Sequence, residues 1–260
     1  MARTIKDLTP GVGVKINERV GKTWQRTEYI YLGLDGSGNA RLLRERAVMP
    51  KRMHSSNVAH YDGCEIDQWY EDEEIGFLAR FDDATIAALR PTTICYEDNT
   101  GDVDTYPEIS RRAFPMSMKE YGFDSDEPGT NFLPALMAYY GTDDEYEARE
   151  QRNEDGWPVL VWSRSGYSAT QFRSVYYNGS AASSNAACGY WQRPAISVSP
   201  DTIVSDEGAD TILLLPDDKK ETSTGDVSVC VNLGGAKLDA CDLTVTESTL
   251  YLHLSLSFQS

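Results

Sequence analysis

The chain has 260 residues, 40% of them hydrophobic, which is enough for one large domain or for a medium domain with a smaller one. Its formal net charge of −17 argues against nucleic acid and against an anionic membrane surface as partners, because both require clustered Lys and Arg. No stretch approaches the roughly 18 apolar residues of a transmembrane helix, and the N-terminus lacks the apolar segment of a signal peptide. We therefore expect a protein that is made in the cytoplasm and does not insert into a membrane.

The cysteines indicate a reducing compartment. Their number is odd, they form no C-x-x-C pair, and none sits beside a histidine. This pattern favours free thiols over disulfides and argues against a zinc site. The five cysteines are Cys64, Cys95, Cys188, Cys230 and Cys241.

The first elements form a small β-meander. Residues 4–16 predict a short helix or turn and then a strand entered through a Pro-Gly pair. Residues 28–34 alternate between apolar and polar in the manner of a half-buried strand. Asp-Gly and Gly-Asn steps at 34–39 predict a hairpin turn, and residues 40–43 return as the partner strand.

The best helical pattern in the chain runs from Cys64 to Phe81. Its acidic residues 71–74 are either the solvated face of one helix or a break between two shorter ones, and we favour the break. Asp82 or Asp83 is expected to cap a further helical turn that ends before Arg90.

The acidic, turn-rich residues 97–108 allow two interpretations. Asp98, Asp102 and Asp104 offer the oxygen ligands that calcium prefers, but their spacing does not match an EF-hand loop. We favour a solvated loop, so no metal site is predicted. Further on, residues 114–123 predict a strand leading into a short helical turn, and residues 130–141 predict a buried helical turn.

The stretch 157–199 has apolar ends and an uncharged middle. Residues 159–162 form one compact apolar run, and residues 195–198 form another. The middle is too polar for a core, and it is too rich in aromatic residues for a disordered linker. Tyr combined with Ser, Gly and Asn is the composition of antibody combining sites. Two interpretations stay open: a recognition surface held between two buried strands, or a series of ordinary β-hairpins with polar loops.

Arg164 and Arg193 flank this middle, and each lies directly beside an apolar run. We expect both guanidinium groups to be buried and to bond several carbonyls, which would tie the ends of the segment to the body. The alternative is a pair of solvated surface arginines.

The last part of the chain predicts antiparallel strands with one apolar face. Residues 227–233 alternate and end at a Gly-Gly turn, and residues 250–258 alternate again. Residues 201–225 are predicted to form a boundary between two domains. We therefore expect a small β-appendage at 205–260 that serves in docking or oligomerisation, since so apolar a strand needs to be covered.

Motifs for catalysis are missing from the sequence. There are three histidines, and the chain has no G-x-S-x-G elbow, no P-loop and no H-E-x-x-H. Carboxylates are plentiful, which leaves a glycosidase pair open, but acidic loops are mostly solvated faces. We expect a protein that is not an enzyme and that needs no cofactor.

The central stretch carries a family resemblance. Its W-S-R-S at 162–165, N-G at 178–179 and R-P-A at 193–195 resemble the core of a family of phage and Gram-positive bacterial proteins of unassigned function. Residues 5–16, and the pattern from Tyr61 to Trp69, resemble other elements of that family. The stretch also resembles the variable regions of proteins diversified by retroelements, including the phage major tropism determinant.

This resemblance implies an α+β, C-type-lectin-like fold that is also similar to formylglycine-generating enzymes. Small antiparallel sheets, two or three short helices and much loop would form a ligand-display domain at residues 1–204. The formylglycine-generating activity itself is not implied, because no reactive cysteine pair is present.

The resemblance also assigns residues to two roles. The exposed, ligand-binding set is Tyr167, Thr170, Gln171, Arg173, Tyr176, Tyr177, Ala181, Ala182, Ser184, Ala187, Cys188, Gly189 and Tyr190. The scaffold set is Trp162, Arg164, Ser165, Asn178, Gly179, Arg193, Pro194 and Ala195.

The function that follows is a phage virion protein whose variable face binds a protein or glycan on the host surface. The alternative is a purely structural head or tail decoration on the same fold. A bacterial surface adhesin is a third hypothesis, which the missing signal peptide disfavours. In the virion the protein would contact other virion proteins and form a homo-oligomer, with a trimer expected.

Overall fold

A computed structural model of the chain describes residues 3–100, 105–207, 210–214, 236–246 and 249–258. The chain divides into two compact units, residues 1–221 and residues 222–260.

The helices are few and short. They are α1 (Glu65–Glu71), α2 (Asp83–Ala88), α3 (Leu133–Tyr140) and α4 (Glu145–Arg149), with 3₁₀ turns at Ile5–Asp7 and Leu78–Arg80. Among the described residues, no helix is long and apolar enough to cross a membrane.

Strands make up more of the described chain than helices do. The first eight are β1 (Gly13–Val20), β2 (Thr23–Leu34), β3 (Ala40–Arg44), β4 (Pro50–Arg52), β5 (Thr92–Cys95), β6 (Glu108–Arg111), β7 (Ala113–Pro115) and β8 (Val161–Ser168). The others are β9 (Gln171–Val175), β10 (Ala181–Asn185), β11 (Gly189–Trp191), β12 (Pro194–Val198), β13 (Ile203–Glu207), β14 (Asp210–Leu214), β15 (Ala236–Thr246) and β16 (Thr249–Phe258).

Two larger sheets organise the first unit. One has seven strands in the order β13-β14-β1-β2-β3-β12-β7, and the other has five in the order β10-β9-β8-β11-β4. Strand pairs in them are antiparallel except β1–β14 and β8–β11, which are parallel. The described chain is mostly β-sheet with a few short helices, in agreement with the expected α+β class.

The predicted meander is confirmed, with one correction. β1, β2 and β3 pair in succession, and the turn between β2 and β3 lies where the Asp-Gly and Gly-Asn steps indicated. The second strand is longer than predicted, and Tyr29–Leu32 are all buried instead of alternating. The reason is its position in the middle of the sheet, where α3 also packs against it.

The predicted break in the helical pattern is also confirmed. α1 ends at Glu71, and the Asp72 carboxylate accepts the N–H groups of Glu74 and Ile75 at 2.7 and 3.0 Å. This turn competes with a continued helix. Of the two candidate caps for α2, Asp82 is the one used, since it accepts the Thr85 N–H at 2.7 Å.

The elements predicted at 114–123 and 130–141 are present as β7 with a following turn and as α3. The two apolar runs of the central stretch belong to buried strands: Val161 and Trp162 in β8, and all of β12. Trp162 packs in the main core together with the second run, while Val159 and Val161 pack with Ala47 in a small separate cluster.

The C-terminal boundary falls later in the structure than the sequence indicated. β13 and β14 add to the edge of the seven-stranded sheet, so residues 203–214 belong to the first unit. In the second unit, β15 and β16 form an antiparallel hairpin that includes the predicted strand at 250–258. The predicted strand at 227–233 lies outside the described residues.

Candidate functional site

All residues predicted to bind a ligand lie on the five-stranded sheet. They occupy β8 to β11 and the turns that join these strands. Each of them is exposed or half-buried. The pairing of the strands determines which of them can act together, because side chains of paired residues share a face.

The register distributes these residues over two faces. Ser184 pairs with Phe172, which is buried, and Ala182 shares the face of Ser184. Ser183 pairs with Arg173, so Arg173 lies on the opposite face. The single surface indicated by the sequence is therefore two surfaces, because side chains alternate along a strand.

Three tyrosines and a serine meet on one of these surfaces. The ring centroids of Tyr176 and Tyr177 are 4.2 Å apart, and the hydroxyl oxygens of Tyr190 and Ser184 are 2.9 Å apart. Val175 and Trp191 both pair with Val161, so the residues next to them, Tyr176 and Tyr190, share the opposite face of the sheet. Tyr176 and Tyr177 are 36% and 46% exposed. We call Tyr176, Tyr177, Ser184 and Tyr190 the tyrosine cluster.

A buried layer supports the tyrosine cluster. The ring of Tyr190 packs against Trp162 at 4.7 Å, and the Trp162 indole N–H donates to the carbonyl of Lys51. The amide of the buried Gln192 donates to the carbonyls of Tyr190 and Lys51 at 3.1 and 3.3 Å. Tyr70 in turn donates to the Gln192 side-chain oxygen at 3.2 Å. These bonds hold β11 and β4 in position.

Lys51 and Trp69 extend this surface, although no sequence pattern indicated that they would. Lys51 pairs with Tyr190 in the β4–β11 ladder, so both side chains share a face. The Lys51 ammonium lies 5.2 Å from the centroid of the half-buried Trp69 ring, in a cation–π contact. β4 is far from the central stretch along the chain, and Trp69 belongs to the helical pattern of α1.

The second surface carries a charged side chain. The Arg173 guanidinium lies 5.1 Å from the centroid of the Tyr167 ring, which is 49% exposed. Arg173 also forms an ion pair with the buried Glu97 at 3.4 Å and donates to the carbonyl of Gly166 at 3.2 Å. Its charge is therefore already engaged within the protein.

The other predicted ligand-binding residues lie apart from these two groups. Thr170 and Gln171 lie at the turn between β8 and β9, Ala181 lies on the Arg173 face, and Ala187, Cys188 and Gly189 lie around the connection from β10 to β11.

Arg164 anchors the start of the central segment, as the sequence predicted. Its side chain is 1% exposed, and it donates to the carbonyls of Cys95 and Pro115 at 2.6 and 2.8 Å. It also donates to Glu120 at 2.6 Å. Because a rigid fork meets acceptors on three other segments, β8 is held against the body of the domain.

Arg193 plays the same part at the end of the segment. It is 1% exposed and donates to the Arg44 carbonyl, the Gln151 side-chain oxygen and the Tyr140 hydroxyl, at 2.8, 3.0 and 2.9 Å. The prediction of two interior arginines is confirmed. Pro194 and Ala195, which follow Arg193, are buried in β12.

Glu120 joins this frame to the neighbouring sheet. It accepts from Arg164, from Arg41 at 3.0 Å and from the Ser117 N–H at 3.0 Å. Burial alone would raise the pKa of Glu120, but the charges of Arg164 and Arg41 lower it to about 2. The carboxylate is thus charged and fully engaged at neutral pH.

Glu127 is a second buried carboxyl, with far fewer partners. Ser165 donates to one of its oxygens at 2.6 Å, and the other has no hydrogen-bond partner in the described structure. Burial raises the pKa of Glu127 to about 7, and the charges of Glu120 and Glu97 add to the rise against the opposing effect of Arg164. Ser165 also accepts the Met118 N–H, so this scaffold residue links two loops to β8.

The turn from β9 to β10 depends on the Asn178–Gly179 pair. The Asn178 side-chain oxygen accepts the N–H and hydroxyl of Ser180 at 3.1 and 2.8 Å. Gly179 has φ of +81°, and a Cβ there would lie 1.9 Å from the carbonyl oxygen of Tyr146. Glycine therefore allows the turn to pack on the start of α4.

The acidic loop is engaged internally where the structure describes it. Asp98 lies 2.8 Å from His60 through one oxygen, and its other oxygen accepts the N–H and hydroxyl of Thr100. Asp102 and Asp104, named in the calcium alternative, lie outside the described residues. Among the described residues, no group of three or more His, Cys, Asp or Glu side chains is placed to hold a metal ion.

Comparison with known proteins gives one match. A family model described as a domain of unknown function (DUF6273) matches residues 37–200, a span that includes every predicted ligand-binding and scaffold residue. Searches of curated proteins and of solved structures gave no match.

Proposed function

The chain belongs to the DUF6273 family, and we propose that it is a non-catalytic recognition protein of a phage particle whose tyrosine cluster binds a ligand on the host surface. The observation that carries this proposal is that the exposed Tyr176 and Tyr177 and the half-buried Tyr190 share one face above a buried, hydrogen-bonded support. Aromatic rings with hydroxyl groups provide contact area and hydrogen bonding at low entropic cost.

The chemistry of this surface favours a neutral, polar ligand. Residues 174–192 contain no Asp, Glu, Lys or Arg, although a quarter of the chain is charged. The one charge that the β4 strand adds to this face, on Lys51, is engaged in the cation–π contact with Trp69. Tyrosine rings can pack against the apolar face of a sugar, while the hydroxyls of Ser184 and Tyr190 can bond its hydroxyls. A neutral host glycan is therefore the ligand class that we put first, with a protein epitope second.

The buried frame supports a recognition role, because a site gains affinity when it is rigid before binding. Arg164 and Arg193 fix both ends of the segment, and Gln192 fixes the main chain at Tyr190. The connections between β8, β9, β10 and β11 are short. Sequence changes at exposed positions would then alter the ligand without altering the fold.

The proposed fold is C-type-lectin-like, with the tyrosine cluster as its variable face. Support comes from the small sheets, the short helices, and the agreement of the buried Trp162, Arg164 and Arg193 with the scaffold set. Diversification by a retroelement belongs to the same proposal. An adjacent near-copy of the coding sequence for residues 160–195, differing mainly at adenines, would support it, and the absence of such a copy would count against it.

The protonation of two cysteine thiols agrees with a non-catalytic role. Burial raises the pKa of Cys64 to about 12 and also raises the pKa of Cys95, so neither is a thiolate at neutral pH. The nucleophile that cysteine chemistry requires is thus not available at these two positions.

An array of neutral oligosaccharides, together with whole bacterial cells, tests the proposal. The full chain should bind a subset of them, and a variant carrying both Y176S and Y177S should lose that binding. W24S is the control, because Trp24 is 53% exposed and lies in β2 of the seven-stranded sheet, outside the cluster. If the wild type binds neither glycans nor cells, or if the double variant binds equally well, the recognition role is wrong and the structural decoration role is favoured.

A further inference from the structure

The outer edge of the five-stranded sheet is chemically unlike the other edges of the larger sheets. Among the described residues, β10 pairs only with β9 and is therefore an edge strand. The opposite edge, β4, contains Pro50, Lys51 and Arg52, while the seven-stranded sheet ends in β7, with Pro115, and in β13, which has two acidic residues. Charge and proline are the usual means of protecting an edge from pairing. The sequence of β10, Ala-Ala-Ser-Ser-Asn, has neither.

The hydrogen bonding around β10 indicates which main-chain groups face outward. The Tyr176 N–H donates to the Ser180 carbonyl, and the Ala186 N–H donates to the Thr170 carbonyl. Bonded pairs alternate along an antiparallel ladder, so Ala182 and Ser184 bond to β9. The N–H and C=O groups of Ala181 and Ser183 then point away from the sheet.

From this edge we infer that the protein forms a dimer in which β10 pairs antiparallel with β10 of a second copy. A two-fold axis at Ser183 would let the two Ser183 residues exchange both main-chain hydrogen bonds. Ala181 of each copy would then lie opposite Asn185 of the other. Every side chain in this register is small, so nothing obstructs the approach of the backbones.

Charge favours a second copy as the occupant of this edge. Each chain carries a formal net charge of −17, so most surfaces of two copies repel one another. Residues 174–192 carry no charge, and β10 lies in the middle of them. Two identical neutral edges can meet where other identical surfaces cannot. Because the two-fold axis uses both β10 edges, the resulting oligomer is a dimer and not the trimer that we expected from the resemblance.

The dimer would also serve recognition, although it does not depend on it. Pairing along the edge leaves both faces of the sheet open and brings two tyrosine clusters into one continuous sheet. Two linked sites bind a repetitive ligand, such as a surface glycan, more tightly than one.

Sedimentation velocity of the full chain tests the dimer. The wild type should sediment as a dimer. S183K should be monomeric, since it places two lysines opposite each other, and S183P should be monomeric, since it removes the outward N–H without touching the β9 ladder. S37K, with the same charge change in the β2–β3 turn, should remain dimeric.

A complementary pair of variants separates interface loss from misfolding. S183E alone should be monomeric like S183K, and an equimolar mixture of the two should recover the dimer, because opposite charges then face each other. A wild type that is a monomer or a trimer overturns the inference, as does an S183P variant that stays dimeric. Ligand binding by monomeric S183K would leave the proposed function intact, so the two proposals fail separately.

Discussion

The carboxylate of Glu120 accepts a 2.6 Å hydrogen bond from the guanidinium of Arg164 in the interior of the domain. Glu120 also accepts from Arg41, whose side chain is buried as well. One carboxylate therefore neutralises two buried cations and joins the seven-stranded sheet, which contains Arg41, to β8, the first strand of the central stretch.

Removing the Glu120 charge should strongly destabilise the domain. We expect E120Q to lower the free energy of unfolding by about 3–5 kcal/mol, because two buried guanidinium groups lose their counter-charge. The folded-state pKa of Glu120 is depressed to about 2, so its contribution is present above the unfolded value near 4.5 and is lost as pH falls through about 2. Urea denaturation at pH 7 measures the effect. E150Q is the control, since Glu150 pairs with Arg152 at a partly exposed position and should contribute less than about 1 kcal/mol.

Glu127 should make stability fall as pH rises. Its folded-state pKa is raised to about 7, so the stability it contributes is fully present below about 4.5 and is lost as pH rises through about 7. The change should be on the order of 3 kcal/mol across this interval. E127Q keeps an acceptor for the Ser165 hydroxyl and removes the titration, so its unfolding free energy should vary less with pH. An unchanged pH profile in E127Q would show that Glu127 does not titrate in this way.

Gly179 should not tolerate a side chain. A residue at φ of +81° with a Cβ 1.9 Å from the Tyr146 carbonyl forces the turn away from α4. G179A should therefore cost roughly 1–3 kcal/mol of unfolding free energy, and it should displace Tyr176 and Tyr177 enough to weaken ligand binding. G36A is the matched control, because nothing lies within 4 Å of a Cβ at Gly36. Equal effects of the two substitutions would contradict the close packing of this turn.

Ser184 and Tyr190 should be energetically coupled. Their hydroxyl oxygens are 2.9 Å apart, so S184A and Y190F remove the same hydrogen bond. A double-mutant cycle in urea should give a coupling of about 0.5–1.5 kcal/mol, with the double variant less destabilised than the sum of the single variants. Strictly additive effects would mean that the hydrogen bond is not formed in solution.

Local patterns were enough to predict much of the fold. The break after α1, the Asp82 cap, the β2–β3 turn and the burial of Arg164 and Arg193 each follow from neighbouring residues. The burial of residues 29–32 of β2 on both faces could not be predicted from neighbouring residues. It results from the position of β2 in the middle of the sheet. The same applies to the late domain boundary, which depends on β14 pairing with β1.

The candidate site was predictable only in part. All thirteen predicted ligand-binding residues are exposed or half-buried, as a binding surface requires. Their separation into two faces depends on the β8 irregularities and on strand register, which composition does not encode. Lys51 and Trp69 join the site through the pairing of β4 with β11, a contact between distant parts of the chain.

We propose that the tyrosine cluster binds the ligand, and an affinity titration measures how much it contributes to binding. The oligosaccharide or cell-surface preparation that binds best should be titrated with the wild type, with Y176S/Y190S and with the W24S control. We expect at least about a tenfold loss of affinity in the double variant, because aromatic residues dominate such contacts, and no change in the control. Equal affinity of the folded double variant and the wild type would contradict the account.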